Sequence, residues 1–142
     1  MSSSVITSPS APAPVGAYSQ AKKIGPFLQI SGQLAADPET GQMLTGGVAE
    51  QTTRCLEQLE AILHEAGAAW EQVLTIRVYL SDDSNFDAFD AAYAQYLSSP
   101  YPARITVGAQ LAPGTLVEIE AFAVLDGVWT GPAAAGSSMR EP

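Results

Sequence analysis

Arg104 and the glutamates Glu118 and Glu120 are the residues of this chain whose types and spacing could do chemistry. Arg104 is one of six basic residues among 142. It opens a strand-like stretch, because Pro102 biases Ala103 towards an extended backbone. Ile105, Val107, Ala109 and Leu111 then alternate with Arg104, Thr106, Gly108 and Gln110, which is the period of a half-buried strand. Beyond the turn-prone Ala112-Pro113-Gly114-Thr115, Val117, Ile119, Ala121, Ala123 and Leu125 share one face, and Glu118 and Glu120 share the other. The pattern predicts Arg104 and the glutamates together on the face opposite the core. A guanidinium is a two-pronged donor for a carboxylate, and a carboxylate can hold or activate a water. The plainer reading is a solvated outer face with cross-strand Arg–Glu pairs.

The elements that must position these groups follow from periodicity. Val48, Thr52, Cys55, Leu56, Leu59, Ile62, Leu63 and Ala66 recur at helical spacing, predicting a helix within 46–67 that Gly67 stops. A second helix is predicted from Asn85 to Leu97, with Phe86, Phe89, Tyr93, Tyr96 and Leu97 as its stripe. Between them, Leu74, Ile76, Val78 and Leu80 alternate with Thr75, Arg77 and Tyr79 as a strand whose first set faces the helices. Upstream, Phe27–Leu34 reads as a strand, with Gly32 permitting close approach of backbone or ligand. Val15–Ala21 reads as a weaker strand, Lys22-Lys23 and Gly25-Pro26 as a turn, and Gln42-Met43-Leu44 as a short returning strand. Residues 1–14, rich in Ser, Pro and Ala, read as a flexible N-terminal arm; 15–126 as one domain; and 127–142 as a disordered tail.

Helices on one sheet face leave a second face carrying Gln29, Ser31, Thr75, Arg77, Tyr79, Arg104, Thr106, Glu118 and Glu120 among apolar groups. A mixed face of this kind predicts a closed homo-oligomer with ligand pockets where subunits meet.

Composition narrows the partners. A net charge of −9 argues against broad nucleic-acid contact. The apolar runs are too short to span a membrane, no secretory leader is visible, and a lone cysteine forms no internal disulfide framework; a cytoplasmic setting is the default. Cys55 lies on the helix stripe as a core residue, and His64 has no second His or Cys at ligand spacing, so no metal and no cofactor are expected.

Five stretches carry a family resemblance: Gly16-Ala17-Tyr18-Ser19-Gln20, Ile30-Ser31-Gly32-Gln33, Asp37-Pro38-Glu39-Thr40-Gly41, Pro102-Ala103-Arg104 and Val117-Glu118-Ile119-Glu120-Ala121. In this order, over roughly residues 12–125, the chain resembles the RidA/YjgF family of reactive imine/enamine deaminases. The resemblance implies an α+β, chorismate-mutase-like fold, with a six-stranded mixed sheet, two helices on one face, and a homotrimer with clefts between subunits. It implies hydrolysis of 2-imino acids, tautomers of enamines such as 2-aminoacrylate, to 2-keto acids and ammonia. Arg104 then corresponds to the residue gripping the substrate carboxylate, Glu118 to the acid that positions or activates water, and Tyr18, Ser31 and Gly32 to cleft residues. Thr106 stands where many members carry a cysteine whose backbone contacts the ligand, and Asp90 where many carry asparagine. The turn before Glu118 is shorter than in some relatives. Three alternatives stay open: a non-catalytic carboxylate-binding or holdase-like trimer, RNA cleavage, and a pathway-specific deaminase of the same fold.

Overall fold

Strict alternation decides the centre of the structure. In the computed structural model, which describes residues 2–125, Leu28 and Ile30 of β3 (Phe27–Leu34), Ile76 and Val78 of β4 (Val73–Leu80) and Val117, Ile119, Ala121 and Ala123 of β6 (Val117–Val124) are all buried on one sheet face. The remaining strands are β1 (Ser3–Ile6), β2 (Ala21–Ile24) and β5 (Ala103–Gly108), giving six strands in the order β1-β2-β3-β6-β4-β5. Every pairing is antiparallel except β4 with β5, which is parallel and therefore needs a helical crossover. The sheet is mixed, as expected.

That crossover is α2 (Phe86–Tyr96), and α1 (Val48–Glu65) lies beside it. The stripe of α1 holds: Cys55, Leu56, Leu59, Ile62 and Leu63 are fully buried. At its start Glu50 accepts the Gly47 N–H at 2.9 Å. At its end Gly67, at φ +74°, takes the left-handed turn that lets Ala68 donate back to the Leu63 carbonyl.

The N-terminus corrects the sequence reading. Residues 3–6, expected within a flexible arm, pair with residues 21–24 as β1 against β2, so Lys22 and Lys23 lie in a strand and not in a turn. The cause is Gln20. Its buried amide donates to the carbonyls of Ser8, Ala11 and Pro12 and accepts from the Ser8 N–H, tying the first dozen residues to the sheet. Val15–Gln20 form no strand, and the returning strand at 42–44 shrinks to one bridge between Ala36 and Met43. A register shift between Val73 and Thr75 gives Val73 the core position and leaves Leu74 exposed. The tail read as 127–142 lies outside the described residues.

The second correction concerns β5. Ile76 pairs with Arg104 and Val78 with Thr106, so Arg104 and Thr106 point to the helix side, while Ile105 and Val107 are exposed on the open face. This is the reverse of the expected phase. β5 is an edge strand whose helix-side positions meet only α2, and that limited cover accommodates a guanidinium whose charged end reaches the rim.

Gln58 joins α1 to the end of β3 through one buried amide. It donates to the Leu34 carbonyl at 2.8 Å and to Gln33 Oε1 at 3.1 Å, and accepts from the Ala36 N–H at 3.4 Å. Gln58→Leu leaves these groups unpaired in the core. It should cost about 1–3 kcal/mol, read as a lower urea midpoint with little change in slope.

Candidate functional site

The candidate residues divide into two groups on opposite faces of the sheet. The first is built on Arg104. Its Cζ lies 4.7 Å from the Tyr93 ring centroid, 5.2 Å from Phe89 and 5.7 Å from Phe86, all within cation–π range. Those rings stand at successive turns of α2, so the aromatic stripe serves as a bed for the guanidinium as well as a core face. Arg104 Nη1 donates to Asp90 Oδ1 at 2.8 Å. Beside this pair opens a cavity of about 380 Å³ lined by Asp90, Tyr93, Ala94, Tyr101, Pro102 and Arg104. The Tyr93 hydroxyl and the Thr106 Oγ1 are buried and have no hydrogen-bond partner among the described residues. Burial pushes the Tyr93 phenol up to about 12, against the opposing pull of the Arg104 charge.

The second group surrounds Glu118, two strands away and on the open face. The register of β3 against β6 jumps between Ile30–Ala121 and Gln33–Ile119, a bulge that places Ser31 and Gly32 opposite a single residue. The Glu118 carboxylate lies on the bare Cα of Gly32: a Cβ there would stand 2.2 Å from Glu118 Oε2. Ser31 holds the neighbouring loop, its hydroxyl donating to the Ser19 carbonyl at 2.6 Å and its N–H to the Gln20 carbonyl at 2.8 Å. Tyr18, half exposed, stands at the end of that loop.

The two glutamates expected as a pair have different surroundings. Glu120 is engaged on every side: it accepts from the Tyr79 hydroxyl at 2.7 Å, from Arg77 Nη1 at 3.1 Å and from Gln29 Nε2 at 3.3 Å. Glu118 has no hydrogen-bond donor among the described residues. Burial first, and the charge of Glu120 second, raise its carboxyl above the ordinary glutamate range. A half-buried carboxylate with free lone pairs and a raised proton affinity is suited to taking a proton from water. Cys55 is not a competing nucleophile. It is fully buried, its Sγ–H donates to the Gln33 carbonyl at 3.2 Å, and burial first, then the Glu118 charge, push its thiol far up. Among the described residues no cluster of His, Cys, Asp and Glu could hold a metal ion, and no helix is long and apolar enough to cross a membrane.

Arg104, Asp90 and Thr106 therefore stand together, and so do Glu118, Gly32, Ser31 and the Tyr18 loop, but the sheet separates the two groups within one chain. Reading the sequence alone missed the aromatic bed of Arg104; the signal was Phe86, Phe89 and Tyr93 recurring on one side of α2 in the segment that feeds the Arg104 strand.

A mixed sheet bearing a ring-bedded arginine at one edge and an unengaged glutamate over a glycine bulge defines a small α+β protein. The family described as Endoribonuclease L-PSP matches residues 8–125. A RutC family protein of Pyrococcus abyssi is 42% identical over 124 residues, covering 87% of this chain and 98% of that protein. The human protein named 2-iminobutanoate/2-iminopropanoate deaminase is 39% identical over 121 residues, covering 84% of this chain and 88% of that one. The crystal structure of RidA from an Antarctic Psychrobacter species superposes with a TM-score of 0.81 at 39% identity, over 86% of this chain and 99% of that one. The chain belongs to the RidA/YjgF family, also described as Endoribonuclease L-PSP.

Gly32→Ala forces the Glu118 carboxylate off its seat. Because the far end of a flexible side chain can swing aside, folding should survive while the Glu118 titration, followed by NMR, moves down towards the ordinary glutamate range as the group enters water. A titration identical to that of the parent would show that the seat does not matter.

Proposed function

We propose that this chain hydrolyses 2-imino acids, the tautomers of 2-aminoacrylate-like enamines, to 2-keto acids and ammonia, in clefts shared between copies of a homotrimer. The observation that carries the reading is Arg104: a guanidinium held on three rings with its edge turned to a cavity of about 380 Å³. That edge matches the carboxylate of a short acid. The deaminase name of the human relative supplies the reaction class. The open sheet face supplies the reason for assembly, because it exposes Phe27 against the half-buried Phe122 and, on the edge strand β5, Ile105 and Val107. Since Arg104 and Glu118 lie on opposite faces, one ligand reaches both only when a second copy brings its Glu118 to the Arg104 edge.

The chemistry needs neither a metal nor a covalent nucleophile. A protonated imine is already electrophilic at C2, and the protein has to orient it and place one water. The substrate carboxylate docks on Arg104. Glu118 takes a proton from water as the water oxygen bonds to C2 and the C=N pair moves onto nitrogen, giving a carbinolamine. Glu118 returns that proton to nitrogen, the C–N bond breaks, and ammonia leaves as the oxygen lone pair closes the ketone. The remaining hydroxyl proton passes through Glu118 to ammonia or solvent. The half-buried, unengaged state of Glu118 and its raised proton affinity fit both directions of transfer. RNA cleavage finds no support in a net charge of −9.

Ammonia and keto-acid release from enzymatically generated 2-aminoacrylate tests the reading. Glu118→Gln should lower kcat about 10²- to 10⁴-fold and abolish an acid limb lying above the ordinary glutamate range. Arg104→Ala should raise KM about 10- to 100-fold, the loss of a charge-assisted pair. Undiminished turnover in either variant contradicts the assignment. Stability supplies a separate readout. A carboxyl raised in the folded chain favours folding when protonated, and that contribution is lost as pH rises through the raised value. Glu118→Gln should therefore melt above the parent at neutral pH and level with it below the ordinary glutamate range.

A further inference from the structure

We infer that Asp90 sets the charge class of the ligand: by holding Nη1 of Arg104 it leaves a grip for one carboxylate and repels a second. The inference rests on the carboxylate-clamp reading above. Asp90 Oδ1 sits 2.8 Å from Nη1, and the rings of Phe86, Phe89 and Tyr93 lie under the guanidinium. What remains for a ligand is the edge formed by Nε and Nη2, enough for one two-pronged carboxylate.

Among the described residues, the cavity beside the pair is lined by no second cation. Its lining holds one positive side chain, Arg104, and one negative, Asp90, with Tyr93, Ala94, Tyr101 and Pro102 making up the rest. Arg54 and Arg77 are engaged elsewhere, with Glu57 at 3.6 Å and Glu120 at 3.1 Å. A monocarboxylate therefore cancels the one guanidinium edge on offer. A dicarboxylate brings a second charge into a cavity where the nearest fixed charge is the Asp90 carboxylate, and like charges at close range disfavour binding. Glu118 of a second copy adds to the same repulsion. The apolar remainder of the lining suits a short, uncharged side chain on the acid.

Asp90 also positions Arg104. A guanidinium lying on rings alone is free to slide across them, and the hydrogen bond from Nη1 fixes its rotation. Asparagine at this position keeps an acceptor for Nη1 and removes the charge; alanine removes both.

Binding of 2-oxobutanoate and 2-oxoglutarate, measured by calorimetry, separates the possibilities. The parent protein should prefer the monocarboxylate, and Asp90→Asn should relax that preference about fivefold, the effect of removing one partly exposed charge. Asp90→Ala should relax it similarly but lose more of kcat than Asp90→Asn, because the guanidinium is then untethered. A preference unchanged by Asp90→Asn, in a protein that still turns over imino acids, overturns the inference and leaves the deaminase reading standing. A relaxed preference in a protein that hydrolyses no imino acid overturns the deaminase reading and supports the inference. Failure of the parent to bind either keto acid overturns both.

Discussion

A guanidinium cannot leave water without partners, and the site follows from where Arg104 finds them. The desolvation penalty for an unpaired buried ion is several kcal/mol, whereas a cation–π contact returns about 0.5–2 kcal/mol. Three rings and one carboxylate therefore hold the side chain at the rim without burying its charged edge. The arrangement requires α2 to run beside the edge strand, and this is what the parallel β4–β5 crossover provides. A helix that must cover β5 in any case supplies Phe86, Phe89 and Tyr93 along one side, and Asp90 one residue beyond Phe89.

Glu118 meets the opposite requirement. Its neighbour Glu120 gathers the hydrogen bonds of the open face, which leaves Glu118 unengaged among the described residues. The glycine bulge of β3 then lets its carboxylate lie against backbone where a side chain would otherwise stand. Keeping a carboxylate half-buried and unpaired works against stability, and the same state gives it the proton affinity that water activation needs. The surroundings of Arg104 and of Glu118 are thus each built by local packing on its own face of one sheet. Nothing among the described residues of a single chain brings them together.

Much of this could be read from the residues. The buried stripes of α1 and of the central strands follow directly from period 3.6 and period 2, because those elements are covered and their apolar positions have one place to go. The phase of β5 could not be read in this way. Ile105 and Val107 look like core residues, yet they face outwards, because on an edge strand covered only by α2 the aromatic bed for Arg104 decides the phase. The N-terminal strand was hidden for a related reason. It is held by pairing with β2, while the long-range Gln20 amide ties down Ser8, Ala11 and Pro12 just beyond it, and no local pattern in Ser3–Ile6 announces either contact. The resemblance to a known family marked Arg104, Glu118 and Gly32, and the coordinates add the division of those residues between two faces.

Mixed oligomers test that division most directly. Arg104→Ala and Glu118→Gln subunits, each impaired alone, would be co-assembled and their imine hydrolysis measured at substrate levels below the raised KM. If a cleft takes Arg104 from one copy and Glu118 from another, a Glu118→Gln subunit beside an Arg104→Ala subunit rebuilds one intact cleft, and activity returns in proportion to the mixed species. If co-assembly is verified by mass and activity stays at the level of the single variants, clamp and base do not meet between subunits.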